Sequence, residues 1–156
     1  MPTSLDELYD TDFTAWGERQ VEALRRLARE HPEVAVAVAL DLGHLIEEVE
    51  ALSHTEAQAL LTRLTLLLVH LAAWRWQPDR RSASWEATLR EQRRRIPRLV
   101  RKNPVLKARL PAMLPEAWAD AREDAADETG LPPETFPEAC PWTLDQALDR
   151  AFLPAT

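Results

Sequence analysis

Residues 54–77, HTEAQALLTRLTLLLVHLAAWRWQ, are the most apolar stretch of this 156-residue chain. Between positions 60 and 71 they carry eight leucine and valine side chains, which point to every side of a helix. A helix that is apolar all round belongs in a protein core. The sequence therefore predicts that residues 54–77 form the central helix of the fold.

The rest of the chain favours further helices around this one. Apolar residues recur at helical spacing after Phe13, and the whole chain contains only three glycines, too few for the turns of a many-stranded fold. We predict an all-α fold, an irregular bundle of five to seven helices in a single domain over residues 1–156. A proline-rich C-terminal tail, from Pro132 onward, completes it.

Capping residues and prolines predict where the helices begin and end. Ser4 with Glu7 forms a capping box before the first helix, Asp12 caps a helix that begins at Phe13, and Thr143 with Gln146 caps a last short helix. Asp41 caps a helix that ends near Leu52, and Ser53 with Glu56 forms a capping box that opens the central helix. This arrangement predicts a turn about Ser53. Pro97 is expected to kink or interrupt the next helix, and Pro111 to end a short one.

Polar residues recur along the central helix at intervals of seven, including Arg63 and His70. Buried charges need partners, and hairpin geometry places Glu47 opposite Arg63 and Glu91 opposite His70. We therefore predict a buried polar seam of Glu47, Arg63, His70 and Glu91. One interpretation is that the seam fixes the register of the bundle, and the other is that His70 and Glu91 line a small catalytic pocket.

The charge of the chain is strongly polarised. Its net charge is −7, yet residues 75–109 hold 12 basic and 3 acidic residues, a net charge of 12 − 3 = +9. Within the basic helix 84–102, the arginines share a face, and Trp76 stands nearby. The interaction surface predicted from this pattern consists of Arg90, Arg94, Arg98, Arg101 and Trp76. It would bind the acidic helices of the chain itself, an acidic protein partner or nucleic acid.

Several classes of site are not expected. The single Cys140 excludes an intrachain disulfide and a cysteine-based zinc site, which suits the cytoplasm. No glycine-rich phosphate loop can be written, and His44, Glu47 and His54 lack the spacing of a helical metal site. We expect no cofactor, no metal and no catalytic residues. The N-terminus shows no export signal, and the apolar run Leu64–Trp76 is too short to cross a membrane.

A series of local motifs resembles a bacterial helical family known only as domain-of-unknown-function family twenty-nine. The resemblance begins with the aromatic residues from Tyr9 to Trp16 and continues through Leu40-Asp41, His70 with Trp74, and Cys140 to Thr143. It implies a cytoplasmic, bacterial, all-helical domain and supplies no catalytic residue.

The function expected from these features is a non-enzymatic protein-interaction module that self-associates, as a homo-oligomer, or binds a protein partner. The first alternative is a nucleic-acid-binding accessory protein that uses the basic helix 84–102. The second is an enzyme with a polar pocket around His70 and Glu91.

Overall fold

A computed structural model describes residues 4–156. Met1–Thr3, where the sequence shows no export signal, lie outside the described residues. Seven α-helices are present in the described part: α1 Leu5–Thr11, α2 Phe13–Glu30, α3 Pro32–Ala37, α4 Leu42–Trp76, α5 Ala83–Lys102, α6 Pro104–Thr129 and α7 Leu144–Leu148. Single 3₁₀ turns cover Pro78–Arg80 and Pro133–Thr135. Over these residues there are no strands, and the all-α prediction of five to seven helices is confirmed.

The helix starts predicted at Ser4, Asp12 and Thr143 are confirmed. Ser4 and Glu7 form a capping box before α1, and Thr143 and Gln146 form another before α7. The carboxylate of Asp12 accepts a hydrogen bond from Ala15 N–H at the start of α2.

The predicted turn about Ser53 is wrong, because α4 is one continuous helix of 35 residues. Ser53 lies inside it, and its hydroxyl donates to the carbonyl of Glu50 at 2.9 Å. Serine is tolerated within a helix when its hydroxyl binds a carbonyl of the preceding turn. Ser53 also lies in a close helix contact that depends on Gly17, because a Cβ placed on Gly17 would lie 2.6 Å from the Cβ of Ser53. Ser53 thus lies at a close helix contact and does not cap a helix.

The prolines are also weaker boundaries than predicted. Helix α5 continues through Pro97, and α6 continues through Pro111 and Pro115. A proline inside a helix costs about 3 kcal/mol, but burial of neighbouring apolar side chains offsets such a cost. Ile96 and Leu110, each adjacent to one of these prolines, are 0% and 5% exposed.

The chain forms two compact units. Unit 1 comprises residues 1–58 and 100–107, and unit 2 comprises residues 59–99 and 108–156. The boundary at 58/59 falls inside α4. The single domain over residues 1–156 stays a prediction.

Unit 1 is held together by buried polar groups at the starts of two helices. Asp12 accepts a hydrogen bond from Val105 N–H of α6 at 2.7 Å, in addition to the one from α2. Asn103, directly before α6, accepts in return from the backbone N–H and the hydroxyl of Thr14 in α2. Asp12, which precedes α2, therefore caps α6, and Asn103, which precedes α6, caps α2. Together they satisfy the N–H groups of Thr14, Ala15 and Val105.

Unit 2 contains a fully buried helical segment. Leu60, Leu64, Leu67, Leu68 and Leu71 of α4 are all 0% exposed. The apolar part of the predicted central helix is therefore core, although the helix itself begins earlier than predicted.

Candidate interaction surfaces

The predicted buried polar seam does not form. Glu47 is exposed, while Arg63, His70 and Glu91 are only half-buried. The predicted hairpin that would bring Glu47 opposite Arg63 does not form, because α4 continues past Ser53.

The predicted contact of Arg63 with Glu47 is wrong for the same reason. Both residues belong to α4 and lie sixteen positions apart, roughly 24 Å along its axis. Arg63 instead donates a hydrogen bond to the side-chain oxygen of Gln92 at 3.3 Å.

The predicted pairing of His70 with Glu91 is also wrong. The His70 ring nitrogen Nδ1 lies 3.0 Å from the carbonyl of Leu66 in its own helix. The carboxylate of Glu91 forms ion pairs with Arg94 and Arg95. The hydrogen bond from Arg95 holds the pKa of Glu91 below its ordinary value. A carboxylate held ionised by two arginines of its own helix is not a proton donor for chemistry at His70.

The four arginines of the predicted interaction surface are exposed, and the use of this surface for binding stays a prediction. A basic face on α5, formed by exposed guanidinium groups, consists of Arg90, Arg94, Arg98 and Arg101. Trp76, in contrast, packs edge-on against Phe136 with ring centroids 5.2 Å apart, and its ring lies 6.0 Å from that of Trp142. Trp76 therefore packs against the C-terminal tail within unit 2 and is only half-buried.

A different surface stands out by its exposed apolar side chains. Residues 34–52, called the apolar segment below, span α3 and the beginning of α4 within unit 1. Six of their large apolar side chains are exposed: Val34 (47%), Val36 (81%), Val38 (67%), Leu40 (39%), Leu45 (37%) and Leu52 (56%). Ala35 is the buried apolar side chain of this segment. Such a concentration of exposed apolar side chains is typical of an interaction site.

This surface could have been found in the sequence. Val34 to Leu40 alternate branched and small residues, a pattern with no strand partner elsewhere in the chain. This short apolar stretch is followed by a helix whose glutamates lie on one side. The pattern therefore gives the apolar side chains of residues 34–40 no packing partner.

Acidic groups accompany the apolar segment. Glu47 and Glu48 are exposed, and Asp41 binds Nδ1 of His44 at 2.7 Å. The hydrogen bond that the Asp41 carboxylate accepts from His44 raises the pKa of His44, and the same bond lowers the pKa of Asp41. The segment therefore presents apolar and negatively charged groups together.

Two open cavities lie within unit 1. One, of about 430 Å³, lies between α2 and α4 and is lined by Glu22, Arg25, Glu50 and His54, among others. Arg25 and Glu50 form an ion pair across it at 2.9 Å. The other, of about 630 Å³, is lined by Tyr9, Phe13, Arg101 and Lys102, among others. Residues 4–156 contain no group of three or more metal-ligating side chains placed to hold an ion.

One buried charge was missed by the sequence analysis. Arg93 is 3% exposed, and its Nε donates to the carbonyl of Ala147 at 2.8 Å. Burial lowers the pKa of Arg93, and the charge of Asp149 opposes that effect. The signal was present, since Arg93 continues the helical spacing of Leu89 and Ile96 on the apolar face of α5.

Helix α4 is also long and apolar enough to span a bilayer by length and composition alone. Half of its most apolar 18-residue window is buried within the protein, as in the core helix of a globular fold.

Comparison with protein families gives one match. The family model described as "Domain of unknown function DUF29" matches residues 8–153. Neither the curated proteins nor the solved structures give a match.

Proposed function

We propose, for a chain that belongs to the DUF29 family of domains of unknown function, a role as a protein-interaction module that binds a second copy of itself. The contact surface in this proposal is the apolar segment, residues 34–52. The observation that carries it is the exposure of Val36 and Val38, at 81% and 67%, next to a single buried Ala35.

The energy available from these side chains is sufficient for a reversible contact. Complete burial of a valine or leucine contributes about 1.5–3 kcal/mol. The six exposed side chains of the segment would together contribute on the order of 5–10 kcal/mol per copy. Association itself costs about 4–15 kcal/mol. The expected complex is therefore concentration-dependent and not permanent.

Charge complementarity favours a second copy as the occupant. The apolar segment carries the exposed acidic groups Asp41, Glu47 and Glu48, whereas α5 exposes the basic face of Arg90, Arg94, Arg98 and Arg101. The apolar segment of one copy and helix α5 of another carry opposite charges. The attraction between them guides their encounter and weakens as the salt concentration rises. Such a contact joins different surfaces of the two copies, so it builds rings or chains.

Light scattering coupled to gel filtration tests the proposal. We expect the apparent mass to rise above 17.8 kDa with concentration and to fall again at high salt. Val36→Asp should hold the protein at the monomer mass, because a carboxylate cannot be buried in an apolar contact. A strict monomer over a wide concentration range contradicts the proposal.

A matched control tests whether the effect of Val36→Asp is specific to the apolar segment or common to any exposed apolar side chain. Leu5 is 53% exposed but lies in α1, outside the segment. Leu5→Asp should associate as the original protein does, and Arg94→Glu should weaken association. If Leu5→Asp and Val36→Asp have equal effects, the contact does not use the apolar segment.

The basic face also favours nucleic acid as a second candidate. Its four exposed arginines lie on one helix, and Tyr9, Phe13, Arg101 and Lys102 line one open cavity. Phosphates and stacked bases use such groups. This candidate predicts retention on heparin at low salt, lost in the double variant Arg94→Glu/Arg98→Glu. Passage through the column without retention removes it.

A further inference from the structure

The guanidinium of Arg93 is only partly satisfied in the interior of unit 2. Its Nε is bound to Ala147, but its Nη2 is buried without a hydrogen-bond partner. A buried charged donor that lacks a partner costs more than a neutral one. An arginine in this position needs an acceptor that the protein does not supply.

A cavity lined in part by Arg93 provides room for such an acceptor. Its volume is about 160 Å³, and its lining combines basic residues of α5 with the end of the tail: Glu86, Leu89, Arg90, Arg93, Arg150, Ala151 and Leu153. Arg90 and Arg93 are three positions apart on α5, while Arg150 follows α7. Three arginines from two separate parts of the chain therefore line a small cavity.

The charges of the lining favour an anion. Three arginines against Glu86 leave a positive excess, and Asp149 balances part of it through its effect on Arg93. A carboxylate is satisfied by the fork of one arginine, whereas the oxygens of a phosphate can accept from several. The lining thus matches a tetrahedral oxyanion better than a planar one.

We propose that this cavity is a binding site for a phosphate group, in which Arg90, Arg93 and Arg150 donate hydrogen bonds to its oxygens. All residues of the site belong to unit 2 and none belongs to the apolar segment, while Arg90 is shared with the basic face of α5. A bound phosphate holds the C-terminal tail against α5, because it bridges Arg93 of α5 and Arg150 of the tail.

Titration of the protein with sodium phosphate, at constant ionic strength set by chloride, tests the site. The expected result is saturable binding by calorimetry, with a shift of the Arg93 Nε–H signal in the NMR spectrum. Sodium acetate should bind more weakly. No saturable binding of phosphate, or equal binding of acetate, overturns the proposal.

Two variants on exposed arginines give the matched comparison. Arg150→Gln removes a lining group without touching the core and should weaken phosphate binding about tenfold, as the loss of one charge-assisted hydrogen bond does. Arg98→Gln removes an exposed charge of the same helix that does not line the cavity and should leave the affinity within about twofold, since exposed charges act weakly at a distance. Equal weakening by both variants would show adventitious attraction to the basic surface and would contradict the site.

Discussion

The two parts of α4 contain similar residues and differ in what surrounds them. From Leu60 to Leu71, in unit 2, five leucines have no solvent exposure at all. From Leu42 to Leu52, in unit 1, Leu45 is 37% and Leu52 is 56% exposed. The comparison shows that apolar composition alone does not make a helix part of the core. In unit 1 the apolar side chains exceed what the unit itself buries, and we attribute that excess to an intermolecular contact.

The largest expected difference between the two parts is in the energetic cost of truncating a leucine. Leu67→Ala, in unit 2, should lower the free energy of unfolding by about 2–5 kcal/mol through a core cavity. Leu45→Ala, in unit 1, should lower it by less than about 0.5 kcal/mol, because an exposed side chain leaves no cavity. Chemical denaturation at low protein concentration measures both, and equal costs would contradict the comparison.

Asp12 tests whether unit 1 depends on its polar caps more than on an apolar core. Asp12→Ala leaves the N–H groups of Ala15 and Val105 without their acceptor, and should cost about 2–3 kcal/mol. Asp41→Ala removes an exposed cap at the start of α4 and should cost less than Asp12→Ala does. Thermal unfolding of both variants provides the check, and a smaller loss for Asp12→Ala than for Asp41→Ala would refute the role of the caps.

Alanine substitutions at Gly17 and Gly43 test the close helix contact within unit 1. Gly17→Ala places a Cβ 2.6 Å from that of Ser53 and should cost about 1–3 kcal/mol by overpacking. Gly43→Ala meets only the Asp41 carboxylate, at 3.8 Å, and should be neutral or stabilise by up to about 1 kcal/mol. The double variant Gly17→Ala/Ser53→Gly should recover part of the loss. No recovery in denaturation experiments would mean that the close contact lies elsewhere.

The smallest effect concerns the pH dependence of the start of α4. Since Asp41 raises the pKa of His44 above 6.5, the contribution of His44 is present below pH 6.5 and is lost as the pH rises through its folded value. Since His44 lowers the pKa of Asp41 below 3.8, the contribution of Asp41 is lost only as the pH falls below 3.8. The pair is therefore complete between pH 3.8 and 6.5. NMR titration should show the pKa of His44 returning to its ordinary value in Asp41→Ala, and an unchanged value would exclude the pair.

The sequence predicted the elements that depend on local chemistry. The helix class follows from propensity, and the caps at Ser4, Asp12 and Thr143 follow from side-chain hydrogen bonds. Periodicity predicts the burial of Leu60, Leu64, Leu67, Leu68 and Leu71. These signals act over a few residues and do not require knowledge of the tertiary structure.

The errors arose where a residue acts through a distant part of the chain. Ser53 has the sequence pattern of a cap, but it lies inside α4 against Gly17, thirty-six positions away, whose missing side chain permits the close approach. That one error produced the incorrect partner of Arg63. Trp76 was assigned to the surface because its partners Phe136 and Trp142 lie in the irregular tail, where periodicity gives no information.

Hydrogen–deuterium exchange at two protein concentrations tests most directly whether the apolar segment is a contact surface and Leu60 to Leu71 a core. We expect peptides from residues 60–71 to exchange slowly at both concentrations, and peptides from residues 34–52 to exchange slowly only when the protein is concentrated. Exchange in residues 34–52 that does not change with concentration, while light scattering shows association, would contradict this account.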